Sequence, residues 1–228
     1  MHAFTVALIA LAAGWYAAGV HRLWRRAGRG RGISRLHAAA YGAGIALLAL
    51  AVLSPLHGAA ERLLWAHMIQ HELLMVVAAP LLVLGRPLQA FAHVVPLRVP
   101  RLFSDPLVAW TVHAAAIWLW HLPAAFGAAV GSEAWHFAQH ASFLASALLF
   151  WWTIVARADL GALISLFSTM VHTGALGALL AFARAPWYAG FALDDQQLAG
   201  VIMWVPAGLA YPAAALLIAS RWLRRSAA

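Results

Sequence analysis

LWAHMIQHELLMVVAAPLLVL, residues 64–84, carries one formal charge (Glu72) in twenty-one positions. A helix needs about 20 mostly apolar residues to cross the hydrocarbon core of a bilayer, so this stretch reads as a membrane span. Six more runs of the same kind surround it. The predicted spans are Ala3–Val20, His37–Ser54, Leu64–Leu84, Pro106–Leu122, Trp135–Ala156, Leu160–Phe182 and Leu198–Ser220. Lipid offers no partner to an unpaired backbone group, so the expected fold class is all-α: a single polytopic bundle of seven helices over residues 1–228.

Composition agrees. The 228 residues are 64% hydrophobic and 10% charged, with mean hydropathy +0.81, against roughly 25% charged in an ordinary soluble domain. All fifteen basic residues are arginine, and they outnumber seven acidic ones. A basic balance can signal nucleic acid, but these arginines fall between apolar runs, which is how a membrane protein sets its orientation. No nucleic-acid partner is expected; the bilayer is. With no Cys there is no disulfide, thiol nucleophile, CxxC site or c-type haem attachment, and with no Lys no Schiff-base chemistry.

The arginines sort by side. Arg22, Arg25, Arg26, Arg29, Arg31 and Arg35 follow the first span; Arg86, Arg98 and Arg101 follow the third; Arg157 follows the fifth; Arg221, Arg224 and Arg225 follow the seventh. Thirteen therefore share one side, and only Arg62 and Arg184 take the other. The positive-inside rule then places the N-terminus outside and the C-terminus in the cytoplasm. The first span lacks a positive n-region before it and reads as an uncleaved anchor. Pro87–Val95 reads as a short interfacial helix. Pro80, Pro206 and Pro212 read as tolerated kinks within spans.

Twelve histidines remain to be placed. His67 with His71, and His136 with His140, are i,i+4 pairs that each project from one helical face. Both lie where a span enters from outside, in the similar strings HMIQH and HFAQH. His121 ends the fourth span at the same level, and His172 lies about ten residues, ~15 Å, inside the sixth. Four imidazoles from two facing helices suit Zn, Cu, Fe or Ni, and the adjacent Met68 leans toward copper. Bis-His haem ligation fits the spacing equally well. His57 and His93, alone at the interface, read as hydrogen-bonding or headgroup-facing residues, and His113 as an interhelical hydrogen bond. Glu72 needs an Arg, an imidazolium or a bound cation beside it. HELLM fails the zinc-protease pattern HExxH because Met75 stands at its last position. Asp194 and Asp195 read as caps on the seventh helix.

The stretch HMIQHELLMVVAAPLLVLGRP at 67–87 closely resembles the signature of the integral-membrane CtaG family, assembly factors for cytochrome c oxidase first associated with caa-type enzymes. WHLP at 120–123, HFAQH at 136–140, FWW at 150–152 and DQQLAGVIMWVP at 195–206 extend the resemblance through spans three to seven. The resemblance implies a multi-pass protein of the bacterial plasma membrane, not an enzyme, that matures the oxidase. It also implies delivery of copper to the copper-containing catalytic subunit. The family's motif histidines fall on His67, His71, His121, His136 and His140, and its acidic position on Asp195. His172 and Met68 are further candidate ligands, with Glu72, Asp195, Gln70 and Gln139 in support. A haem-handling protein and a copper or proton transporter are the rival expectations.

Overall fold

The computed structural model describes residues 2–95 and 105–226. Among these the chain is entirely helical. In order come α1 (His2–Ala27), α2 (Arg35–Leu53), α3 (Pro55–Ala60), α4 (Leu64–Glu72), a π-helical turn (Leu73–Ala78), α5 (Ala79–Leu84), α6 (Pro87–Ala92), α7 (Pro106–Trp120), α8 (Pro123–Gly131), α9 (Glu133–Arg157), α10 (Leu160–Ala181) and α11 (Leu193–Ser226). Among the described residues, six helices are long and apolar enough to cross a membrane, with α4, the π turn and α5 forming one of them. The expected fourth span, Pro106–Leu122, is divided in the structure. α7 has 15 residues, about 22 Å, too short to cross alone. It bends by 75° into α8, and a seventh crossing exists only if that pair counts as one span. The sequence dictates the bend. Pro123 has no N–H to continue the ladder, and it holds Leu122 in an extended conformation (φ −63°, ψ 134°).

Pro80 has a more specific consequence than a kink. In the π turn the Ala79 N–H bonds the Leu74 carbonyl, five residues back. In that register the Met75 carbonyl faces residue 80, a proline without a donor. The indole N–H of Trp151 on α9 donates to the Met75 carbonyl instead, at 2.8 Å, from a buried position. Without that indole a buried carbonyl would be orphaned, a cost of about 1–3 kcal/mol. The span carrying HMIQH is thus pinned to the span carrying HFAQH.

α10 and α11 cross at backbone contact. A Cβ on Gly200 would meet the Gly177 carbonyl oxygen and the Ala181 nitrogen, both at 2.5 Å. Small residues permit such an approach, which drives helix association where lipid supplies no hydrophobic gradient. The main core lies between these helices and α9, around Phe126, Phe143, Phe150, Trp151, Leu166 and Tyr211. A second apolar cluster holds α1 to α2, α5 and α6, with Tyr16 stacked on Tyr41 at 3.7 Å and donating to the Gly85 carbonyl. The short helix expected within Pro87–Val95 is α6, packed against α1.

The arginine-bearing segments gather at one end. Arg22 donates to the His93 carbonyl, Arg86 donates to the Gly32 carbonyl, and Arg86 and Arg221 line one groove. Arg98 and Arg101 lie outside the described residues. Near this end Asp159 caps α10: its Oδ1 accepts from the Ala162 N–H, which holds the carboxyl below its ordinary range, and Oδ2 accepts from Arg157. The first turns of α4 and α9 lie at the other end of the bundle.

Candidate functional site

Four elements bring histidines to that far end. α4 presents His67 and His71 one turn apart, and both are buried. α9 presents His136 and His140 in the same way, half-buried. His121 sits in the corner between α7 and α8, where the Tyr188 hydroxyl donates to its carbonyl at 2.9 Å. The sixth ring was not expected. His57 lies on α3, a helix of six residues set by Pro55 at its start and by the Ser54 hydroxyl, which accepts from the Leu56 N–H. Gln70 fixes the His57 ring: one amide hydrogen goes to the Ala51 carbonyl at 2.6 Å and the other to His57 Nδ1 at 3.1 Å.

The rings touch. Centroids of His67 and His71 are 4.3 Å apart, as are those of His136 and His140. Between the two pairs, His67 lies 5.4 Å from His136 and 6.2 Å from His140, while His71 lies 5.4 Å from His140. His121 joins at 6.3 Å from His71, and His57 at 5.2 Å from His136. Phe143 and Phe126 close the chamber, 4.6 Å from His71 and 5.2 Å from His67.

Buried polar atoms are ordinarily satisfied. Here the Nε2 atoms of His67, His71, His121, His136 and His140 are all buried without a hydrogen-bond partner, and so is His71 Nδ1. His121 shows how such a nitrogen is readied. Its Nδ1–H donates to the Ile117 carbonyl at 2.7 Å, which leaves the lone pair on Nε2. Fixing one ring nitrogen so that the other faces a metal is the usual outer-shell arrangement of a ligating histidine. The rings nevertheless stand unconverged. His67 and His136 are stacked within 13° of parallel, and no group of three or more His, Asp or Glu among the described residues is posed to hold a metal ion.

The supporting residues divide. Gln70 holds His57, as described. Gln139, directly before His140 on α9, is buried with both amide atoms unpartnered. Glu72 has a buried Oε2 without a partner, so the expected Arg or imidazolium beside it is absent among the described residues. Met68 packs in the apolar core. Asp195 is corrected: it does not cap its own helix. Its two oxygens accept from the Leu64 and Trp65 N–H groups at 2.8 and 3.0 Å, capping α4 from α11. Negative charge at a helix N-terminus is favourable, and α4 has no cap of its own, since Leu63 stands at that position.

His172 is not brought to the cluster. It faces α7, 5.8 Å from the Trp110 ring, and its Nδ1 accepts from the Trp118 indole at 3.3 Å. His113 bonds Ser146 Oγ at 3.1 Å on α9, as an interhelical hydrogen bond should.

Fold and site together define a multi-helical protein of membrane character with a histidine-lined chamber at one end. The chain belongs to the cytochrome c oxidase caa3 assembly factor family (Caa3_CtaG), whose model matches residues 14–225. Neither the curated proteins nor the solved structures contain a match.

Proposed function

We propose that the chain is a seven-span assembly factor of the bacterial plasma membrane that binds copper and hands it to the copper-containing subunit of the oxidase. Copper is cargo in this reading, and the chain carries out no catalysis. His67, His71, His121, His136 and His140, joined by His57, are the ligands. One observation carries the proposal: five imidazoles from three parts of the fold meet in one chamber, each with a buried Nε2 that nothing satisfies. An orphaned buried acceptor or donor costs about 1–3 kcal/mol, and several in one place are reasonable only if something fills the place. Imidazole is a good copper ligand. Without thiolate in the donor set, binding can be firm yet reversible, as a donor requires.

Haem is disfavoured at this chamber by packing. A porphyrin needs an open slot between facing imidazoles, and these rings touch one another and two phenylalanines. Metal analysis and an absorption spectrum of detergent-purified protein decide between the two. Copper at one equivalent or more without a Soret band is the expected result; a Soret band with no copper taken up rejects the proposal.

The proposed orientation puts the chamber on the outer side, since the arginine-bearing segments gather at the other end. Reporter fusions after Arg35 and after Gly131 should give opposite readouts. The same readout from both sinks this topology.

A further inference from the structure

The six imidazoles are arranged as a strip, not a shell. An imidazole bound at ~2.0–2.1 Å has its ring centre about 3.2 Å from the ion, so two rings on one ion have centres no more than about 6.4 Å apart. Under that limit the rings form three triangles. His57, His136 and His140 are mutually 5.2, 4.3 and 6.4 Å apart. His67 replaces His57 in the second triangle, at 5.4 and 6.2 Å from His136 and His140. His71 replaces His136 in the third, at 4.3 and 5.4 Å from His67 and His140. His121 then extends the strip beyond His71 at 6.3 Å, and among the other five rings it meets only His71. His57 meets neither His71 nor His121. The two ends of the strip cannot share an ion.

Exposure runs the same way. His57, His136 and His140 are half-buried, whereas His67, His71 and His121 are 1%, 2% and 4% exposed. Resting on the copper reading above, we propose that the chamber holds two monovalent copper ions. An outer station is made by His57, His136 and His140, and an inner, two-coordinate station by His71 and His121, whose ring centres at 6.3 Å allow one ion in line between them. The overlapping triangles between them let an ion advance by exchanging one imidazole at a time, with no change of oxidation state and no open gap to cross. Monovalent copper suits the chamber because a charge of one is less costly than two in a site of uncharged rings shut off from water. Loading the outer station takes the His57 lone pair away from the Gln70 amide, which occupies it otherwise.

Two like charges in one chamber repel. At ~6–10 Å separation and an effective dielectric near 20, the second ion binds roughly 10- to 100-fold more weakly than the first. The test is anaerobic titration of the full-length, detergent-purified protein with Cu(I), using a chromophoric chelator as competitor and mass spectrometry to count metal. X-ray absorption reports the nitrogen ligands per copper. Wild type should take two ions in separable steps, the outer with about three nitrogen ligands and the inner with about two. His57→Gln/His136→Gln should keep only the inner ion, and His71→Gln/His121→Gln only the outer. Gel filtration confirms that each variant stays monodisperse; if either aggregates, the single variants His57→Gln and His121→Gln give the same discrimination. A wild type that saturates at one ion, lost altogether from both double variants, overturns the two-station arrangement but leaves copper binding intact. Two ions undisturbed by His57→Gln/His136→Gln overturn it as well. A wild type that takes no copper removes the copper reading itself, and this proposal with it.

Discussion

His71→Ala/His140→Ala will leave the protein in the membrane at near-normal abundance and deprive cells of most of their cytochrome c oxidase activity. His140 belongs to every triangle of rings, and His71 joins His121 to the rest. Removing both breaks the strip in its middle, so no three of the remaining rings lie within reach of one ion. Stability should change little, because two effects oppose. Truncating a buried ring leaves a cavity, at a cost of a few kcal/mol. The same change also deletes buried nitrogens that nothing satisfies, each a liability of about 1–3 kcal/mol. Added copper should restore part of the activity, since mass action compensates for a weakened donor. The measurement is oxidase activity per unit of membrane-localised protein, at limiting and at excess copper. Full activity of the double variant at limiting copper would show that these histidines are structural and that copper donation lies elsewhere.

The α4 and α9 pairs were legible because helical spacing alone puts i and i+4 on one face, and because the two spans enter the membrane from the same side. Their meeting follows from the close packing of those spans, pinned where Trp151 reaches the Met75 carbonyl. His121 was legible in depth only; its inward turn depends on the bend at Leu122–Pro123, for which Pro123 was the available signal. His57 was passed over because an isolated histidine in a short connection has no periodicity. The Ser54–Pro55 start of α3 was its readable trace, since a capping serine followed by proline opens a helix. His172 fails for the opposite reason. Depth was estimated from residue rise, but depth says nothing of azimuth, and α10 turns this residue toward Trp110 instead of α4. Asp195 was rightly seen as a capping carboxylate and assigned to the wrong helix. Local rules connect a cap to the helix it precedes, whereas α4 lies more than a hundred residues away in sequence.

That long-range cap carries the second large effect. Asp195→Ala will loosen the start of α4 and weaken copper binding without altering any histidine. Two charge-assisted bonds are lost, to the Leu64 and Trp65 N–H groups at 2.8 and 3.0 Å. Nothing local replaces them, because Leu63 offers no side-chain acceptor. Hydrogen bonds to a charged group contribute about 1.5–3 kcal/mol each, and the favourable charge at the helix N-terminus is lost with them. A total of about 3–6 kcal/mol is expected, seen as a lower thermal midpoint in detergent. His67 sits within one turn of the loosened end and moves most; His136 and His140, on α9, keep their places. Copper affinity should therefore fall, while the α9 pair continues to bind weakly. Asp195→Asn keeps one acceptor oxygen and should fall between wild type and Asp195→Ala on both measurements. Asp194→Ala is the control: among the described residues the Asp194 side chain bonds only the Asp195 N–H, at 2.9 Å, and its loss should leave α4 and copper binding nearly unchanged. If Asp195→Ala matches wild type in both midpoint and affinity, the contact between α11 and α4 does not organise the chamber, and the inner histidines are held by Phe126 and Phe143 alone.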